Sequence, residues 1–155
     1  MDLFQYLKDY QAWVCVPCGF AINPDHYESY LRSRHLAHLE LGSREKVKLI
    51  VLKLLQKPLL NPKNTHIPVP TPGSLTIPFL SIYNNGLACL QCSYVAQAEG
   101  TMRAHCQATH VLGKRKRGGN HKAYAAAPPR WKKVVCQRLF VHGHGGSYFA
   151  VVSPA

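Results

Sequence analysis

Acidic residues are scarce in this chain and unevenly placed. Seven Asp and Glu residues stand against 19 Lys and Arg among 155 residues, which gives a formal net charge of +12. All seven acids lie in residues 1–99, with a net charge of +2, whereas residues 100–155 contain ten Lys and Arg and no acid. The C-terminal third therefore lacks carboxylates for general acid–base catalysis. Its one-signed charge favours a polyanionic partner, most commonly nucleic acid.

The chain also lacks a long apolar run and a secretory signal. A membrane-spanning helix needs about 20 consecutive apolar residues, and three lysines interrupt the best candidate, segment 47–60. The charged residues Asp2, Lys8 and Asp9 leave an N-terminal apolar stretch too short for a signal peptide. We therefore expect no membrane partner and a reducing compartment, where the six cysteines would serve as metal ligands more often than as disulfides.

No motif of a familiar catalytic class is present. The chain has no glycine-rich phosphate loop, no Gly-x-Ser-x-Gly elbow and no His-Glu-x-x-His helix. The segment His142-Gly-His144-Gly-Gly is a candidate for metal contact, although a turn is the simpler interpretation. We therefore predict a non-enzymatic protein without a small-molecule substrate.

Apolar periodicity and turn signals predict a small α+β protein with two C2H2-like zinc-finger modules joined by a helix and a proline-rich linker. The predicted segments are an N-terminal helical module (1–57), the linker (58–78), a zinc finger (79–112) and a basic extension with a short strand (113–155). Six prolines in the linker exclude regular structure there.

Individual elements follow from the same patterns. Helical spacing and capping residues predict helices over 2–13, 25–35, 44–56 and 99–109. Strand character is predicted for 79–83 and 147–152, with a turn at Asn84-Asn85-Gly86 between 79–83 and the next cysteines. Segment 131–140 is compatible with a helix or a strand.

The strongest pattern in the chain is Cys89-x2-Cys92-x12-His105-x4-His110. Zinc takes four sulfur or nitrogen ligands in a tetrahedron, and two cysteines on a tight turn with two histidines on one helix supply them. The five-residue spacing of the histidines requires a slight distortion of the last helical turn. Met102 stands where such a finger buries an apolar residue. The sequence therefore predicts a zinc site at these four residues.

A second cysteine pair, Cys15 and Cys18, has less complete partners. The nearest downstream histidines, His35 and His38, lie three residues apart and thus on one helical face. We predict Cys15, Cys18 and His35 as zinc ligands, with His38 or His26 as the fourth. The competing interpretation is a degenerate finger that has lost one ligand.

Two other arrangements would use the same thiols. The run Trp13-Val-Cys15-Val-Pro-Cys18 superficially resembles a thioredoxin active site, which needs a cysteine at the start of a helix after a strand, but no βαβ pattern surrounds it. A single all-thiolate site from both cysteine pairs would leave the two well-spaced histidines idle. The remaining cysteines, Cys106 and Cys136, are predicted to be buried, inert thiols.

The helix of the predicted second finger is poorly suited to reading bases. DNA-reading fingers contact base edges with polar side chains just before and inside this helix. The corresponding positions here are Ala98, Gly100, Thr101 and Ala104. We therefore expect no sequence-specific recognition, which favours a stabilising or protein-binding role for the finger.

Basic residues are the predicted nucleic-acid contacts. They are Arg103, Lys114, Arg115, Lys116, Arg117, Lys122, Arg130, Lys132 and Lys133. Phosphates attract such clusters without sequence preference, and Tyr124 and Trp131 offer rings for stacking on unpaired bases. The run 114–117 also fits a nuclear import signal read by a transport receptor, or a solvated surface.

These patterns favour a nuclear protein that binds DNA or RNA nonspecifically or associates with chromatin. The alternative is a zinc-stabilised protein–protein interaction module. The acid-free basic third supports the first interpretation, and the small residues at the base-reading positions support the second.

Several motifs together resemble one known family. They are Cys15-x2-Cys18, Tyr30-Leu-Arg-Ser-Arg-His35, Gly86-Leu-Ala-Cys89-x2-Cys92-x-Tyr94, Met102-x2-His105-x4-His110 and Cys136-Gln-Arg-Leu-Phe140. In this order they resemble the fungal proteins similar to orsellinic acid biosynthesis cluster protein D. The resemblance implies C2H2-like zinc binding and fungal origin, and it supplies no known activity.

The resemblance also carries two expectations about this chain in particular. Such relatives commonly have a histidine where Tyr30 stands, giving a His-x4-His pair with His35. They occur alone or attached to larger proteins, including helicase-like proteins of mobile elements. The end at Val152-Ser-Pro-Ala155 fits a fragment of such a longer product.

Overall fold

The computed structural model describes residues 3–35, 43–110, 130–141 and 146–153. These residues contain three α-helices and eight β-strands, which confirms the predicted α+β class. They group into two compact units, each with its own β-sheet. None of the described helices combines the length and the apolar character that spanning a bilayer requires. The four segments defined from the sequence stay a prediction.

The first unit draws on Met1–Val69, Ile77–Ser81 and Arg138–Ser147. Its antiparallel sheet has the order β1-β2-β3. In chain order its elements are β1 (Phe4–Leu7), β2 (Ala12–Cys15), β3 (Phe20–Ala21), α1 (Tyr27–Arg34) and α2 (Arg44–Leu54). Short 3-10 helices at Lys8–Tyr10 and Pro24–His26 connect them.

The helix predicted over 2–13 is wrong, because this segment forms the hairpin of β1 and β2. Tyr6 lies opposite Trp13 in the register, and their rings pack with centroids 5.1 Å apart. Gln11 takes a left-handed conformation with φ of 45° and ends the connection between the strands. Cross-strand packing therefore overrides the helical spacing of the apolar residues.

Both helices of the first unit begin near their predicted starts. The Ser43 hydroxyl accepts a hydrogen bond from the Lys46 N–H at 3.3 Å, so Ser43 caps α2. Asn23 caps the 3-10 helix that precedes α1, since its side-chain oxygen accepts from the Asp25 N–H at 3.0 Å. The two helices bury one apolar stripe each, and the core of the unit consists of Phe4, Cys15, Ile22, Tyr27, Leu31, Val47 and Leu54.

The second unit draws on Pro70–Thr76, Ile82–Gln137 and Tyr148–Ala155. Its five-stranded sheet has the order β4-β8-β7-β5-β6. The elements are β4 (Ser74–Leu75), β5 (Tyr83–Cys89), β6 (Val95–Ala96), α3 (Glu99–Thr109), β7 (Trp131–Arg138) and β8 (Tyr148–Val152). The helix predicted over 99–109 and the C-terminal strand are confirmed, and segment 131–140 forms a strand as far as Arg138.

The turn predicted at Asn84-Asn85-Gly86 is wrong, and so is the strand predicted over 79–83. Strand β5 runs through this segment, with a register shift against β7 between Tyr83 and Gly86. A Cβ atom on Gly86 would lie 2.7 Å from Cys136 Sγ and 2.9 Å from the Val134 carbonyl oxygen. Glycine is used here for the close approach of two strands, not for a turn.

The proline-rich linker is less irregular than predicted. Within it, β4 pairs in parallel with β8, with Ser74 opposite Val151. Ile67 and Ile77 are buried, and both belong to the first unit, so parts of the linker pack within that unit. Proline excludes strand pairing only where its missing N–H is needed, and β4 contains no proline.

Candidate metal centres

Two separate groups of cysteine and histidine side chains could hold a metal ion. In each group all the ligand atoms lie within 4.8 Å of one another. We call Cys15, Cys18 and His35 the first cluster, and Cys89, Cys92, His105 and His110 the second cluster. The first cluster lies in the first unit, and the second cluster lies in the second unit. The described residues form no metal-binding group made only of cysteines.

The second cluster assembles where β5 meets α3. Cys89 is the last residue of β5, and its N–H donates to the Tyr94 carbonyl at 2.9 Å. This bond closes the turn that presents Cys92. His105 lies on α3, so the strand end and the helix bring sulfur and nitrogen donors to one point.

His110 shows how the five-residue histidine spacing is accommodated. It is the residue after α3, with extended backbone angles of φ −107° and ψ 97°, while its N–H still donates to the Cys106 carbonyl. Five residues of regular helix would turn the second ring well away from the first. Ending the helix at Thr109 swings the His110 ring back towards Cys89.

The distances between donor atoms in the second cluster fit tetrahedral coordination of a metal ion. Cys89 Sγ lies 3.3 Å from His110 Nε2, and Cys92 Sγ lies 3.2 Å from His105 Nε2. Sulfur at about 2.3 Å and nitrogen at about 2.0 Å from a zinc ion would be roughly 3.5 Å apart. The residues present therefore fit such an ion in number, type and spacing.

Neighbouring side chains hold these ligands in place. The Tyr94 ring stacks on the His105 ring with centroids 4.0 Å apart, and Thr109 Oγ1 lies 3.4 Å from His105 Nδ1. A partner on Nδ1 leaves Nε2 for a metal. The small core beneath the cluster includes the buried Met102 and Cys106, as the sequence predicted.

The thiols of the second cluster differ in their ease of ionisation. Burial raises the pKa of the Cys89 thiol, but hydrogen bonds from the Gln91 backbone and the Cys92 thiol outweigh it, and the pKa is lowered overall. Burial and the neighbouring Cys89 raise the pKa of Cys92. Metal binding requires both as thiolates, so a cation between them stabilises the charged forms.

The first cluster is built in a similar way. Cys15 ends β2, and its carbonyl accepts from the Gly19 N–H at 2.8 Å. Gly19 has φ of +75°, a conformation that glycine adopts without strain. His35 follows α1 directly. Its Nε2 lies 3.4 Å from Cys15 Sγ and 3.7 Å from Cys18 Sγ.

Tyr30 is not among the ligands predicted from the sequence, but its side chain lies at the first cluster. Its hydroxyl oxygen lies 3.2 Å from His35 Nε2. Burial and hydrogen bonds to Cys15 and Cys18 raise the pKa of the Tyr30 hydroxyl. The signal in the sequence is spacing, because Tyr30 precedes His35 by five residues as His105 precedes His110.

Of the two histidines predicted as the fourth ligand of the first cluster, only His26 lies within the described residues. His38 lies outside the described residues. His26 is not part of the cluster and instead lines an apolar cavity together with Phe20 and Phe140.

The geometry around Cys15 differs from that of a redox cysteine. Cys15 ends a strand and does not begin a helix. Burial raises the pKa of its thiol, against a smaller opposing effect of the Tyr30 hydroxyl. Reactive thiols of the thioredoxin type have lowered pKa values.

Only part of the predicted nucleic-acid surface lies within the described residues. Lys132 and Lys133 are exposed on β7, and Arg130 precedes them with partial burial. Arg103 forms an ion pair with Glu99 at 2.8 Å. The remaining predicted contacts, Lys114, Arg115, Lys116, Arg117 and Lys122, lie outside the described residues, as does the glycine-rich segment 142–145.

The fold and the two clusters define a small α+β protein with Cys/His groups that could hold a metal. The sequence model of the family described as orsellinic acid/F9775 biosynthesis cluster protein D matches residues 2–111. The chain therefore belongs to this family, and the resemblance deduced from the motifs is confirmed. No curated protein matches the chain, and no solved structure does.

Proposed function

We propose that the chain is a non-enzymatic zinc-binding protein of the nucleus. In this proposal a C2H2-type module in the second unit holds a basic surface against the phosphate backbone of DNA or RNA without reading the sequence. The observation that carries the proposal is the convergence of Cys89, Cys92, His105 and His110. Two thiolates and two imidazoles at these distances are a donor set that favours zinc.

The charge of the second unit supports a polyanionic partner. From residue 70 onward Glu99 is the only acid in the sequence, and Arg103 is paired with it. Lys132 and Lys133 are exposed on β7, opposite Ala88 and Leu87 of β5. The strand that ends in the ligand Cys89 thus lies beside two lysines, which places positive charge next to the second cluster.

The exposed residues of α3 support nonspecific binding. Ala98, Gly100, Thr101 and Ala104 are all exposed, and they offer little hydrogen bonding to base edges. Phosphate contacts, by contrast, need only charge and reach. The nuclear location rests on the run 114–117, interpreted as an import signal.

The salt dependence of binding tests this function. We expect the zinc-loaded chain to bind mixed-sequence DNA and RNA, with log K falling linearly with log salt. The double variant K132Q/K133Q should bind several-fold more weakly, with a salt slope smaller by about 2, roughly one unit for each lost phosphate contact. Fluorescence anisotropy at several salt concentrations measures both quantities.

A matched control removes the same charge elsewhere. Lys48 and Lys53 are exposed on α2 of the first unit, so K48Q/K53Q should keep the affinity and slope of the unaltered chain. Affinity that ignores salt, or absent binding at low salt, would refute the proposed function.

A second candidate function, protein–protein interaction, is favoured by a different surface. Leu49 and Leu52 are each 60% exposed on α2, and Leu55 just beyond it is 50% exposed. Exposed leucines grouped on one helix are typical of interaction surfaces. If α2 is the functional surface, L49S/L52S should abolish co-purification of a partner from cells while K132Q/K133Q leaves it intact. The reverse pattern would exclude this candidate.

A further inference from the structure

The two clusters share one local plan. In each, a Cys-x2-Cys pair begins at the end of a strand, and a histidine follows the helix that comes next. The N–H of His35 donates to the Leu31 carbonyl at 3.0 Å, and that of His110 donates to the Cys106 carbonyl at 3.1 Å. Because each histidine directly follows its helix and keeps the last helical hydrogen bond, the residue five positions earlier has a comparable place in each.

That equivalent residue is His105 in the second cluster and Tyr30 in the first. The Tyr30 hydroxyl oxygen lies 3.2 Å from His35 Nε2 and is hydrogen-bonded to both thiols of the cluster. The Tyr30 hydroxyl thus contacts all three donor side chains of the first cluster, Cys15, Cys18 and His35. Phe20 packs edge-on against the Tyr30 ring, with centroids 6.2 Å apart, which favours one orientation of the phenol.

We propose that the Tyr30 oxygen completes the coordination of a metal ion at the first cluster. The site is then formed by two thiolates, one imidazole and one phenol oxygen, and it takes zinc. Zinc sites are dominated by sulfur and nitrogen donors, and an oxygen in place of an imidazole weakens the site. The first cluster therefore exchanges its ion faster than the second, so the two units respond differently to zinc supply. This inference rests on the proposed zinc binding.

Competition with a chromogenic chelator tests the inference on the full chain loaded with Zn²⁺ alone. We expect two equivalents to be released in two phases, a fast one from the first cluster and a slow one from the second. Y30F should speed the fast phase at least tenfold, the effect size expected for lost metal-site partners. Y30H should slow it towards the rate of the second cluster. Y94F is the matched control and should change neither phase, since Tyr94 contacts His105 through its ring.

Each alternative outcome is distinguishable. Absence of any bound zinc would refute the proposed function itself. One equivalent in the unaltered chain and two in Y30H would mean that Tyr30 blocks the site, which overturns the inference but not the function. Should Y30F fail to fold, Y30H decides alone, because an unchanged fast phase in that variant overturns the inference.

A spectroscopic measurement separates coordination from hydrogen bonding. With Co²⁺ in both clusters, a coordinated Tyr30 oxygen contributes to the ligand field, so the visible bands of the first cluster should shift in Y30F. A hydroxyl that only donates to the thiols would leave the number and type of ligands unchanged. Bands that do not move in Y30F would therefore overturn the inference.

Discussion

The variant H105A is expected to retain one equivalent of metal less than the unaltered chain and to lose the folded second unit. His105 supplies one of four donors, and the core beneath it is small. Metal binding at such sites is worth about 10 kcal/mol or more and is coupled to folding. Losing a ligand should therefore lower the free energy of unfolding of the second unit by about 4 kcal/mol or more. Elemental analysis and thermal unfolding measure the two effects.

The chain offers a matched control for this variant. His66 is an exposed histidine that belongs to neither cluster, so H66A should change stability by less than about 0.5 kcal/mol. Trp13 lies in the first unit and Trp131 in the second, and a W13F background restricts the fluorescence to the second unit. Equal metal content and equal melting of H105A and H66A would contradict the second cluster as a metal site.

Replacing Gly86 by alanine should lower the stability of the second unit more than the same replacement at any other glycine described in that unit. The added carbon would lie 2.7 Å from Cys136 Sγ and 2.9 Å from a strand carbonyl, and both neighbours belong to β7. Neither the backbone nor the fully buried Cys136 can move aside cheaply. Overpacking of this kind costs about 1–3 kcal/mol, and urea unfolding followed at Trp131 measures it.

A second glycine in the same unit controls for the change in backbone entropy. A Cβ atom on Gly100 would meet nothing within 4 Å, and Gly100 lies in the first turn of α3. Replacing it by alanine should raise stability by a few tenths of a kcal/mol, since alanine favours helix. If G86A were as stable as G100A, the close packing of β5 on β7 would be wrong.

Local signals predicted those elements whose ends are set by local chemistry. Ser43 caps α2 with its own hydroxyl, and α3 spans the predicted residues. The second cluster could be predicted equally well from its spacing, because two thiols on a turn and two imidazoles on a helix lie within a short stretch of chain. In each case the interactions that decide the structure lie within about 20 residues.

Long-range contacts decided the elements that were predicted wrongly. The apolar spacing of residues 2–13 fits a helix, but the Tyr6–Trp13 ring contact and the pairing of β2 with β3 favour a strand. The Asn84-Asn85-Gly86 signal is typical of a turn, yet Gly86 is needed against Cys136, fifty residues away in sequence. Such partners cannot be identified from local propensity.

The candidate site likewise contains residues that local spacing predicted and one that it did not. The sequence predicted His38 or His26 as the fourth ligand of the first cluster; His38 lies outside the described residues, His26 is not part of the cluster, and the Tyr30 hydroxyl lies 3.2 Å from His35 Nε2. A tyrosine is normally interpreted as a core residue, and Tyr30 indeed packs on Phe20. The family resemblance had already related position 30 to a histidine paired with His35, but a tyrosine there gave no sign that its hydroxyl would lie at the cluster.

The second cluster also lies where residues distant in the sequence meet the end of β5. His110 Nε2 lies 3.3 Å from Cys89 Sγ, and the Arg130 carbonyl accepts from the N–H of Leu90, the next residue. His110 and Arg130 are therefore both held beside the end of β5, and a metal bound there would fix the position of His110. Arg130 directly precedes the strand that carries the exposed Lys132 and Lys133. By reciprocity, a polyanion whose binding to these two lysines is tightened by the metal should tighten metal binding by the same factor.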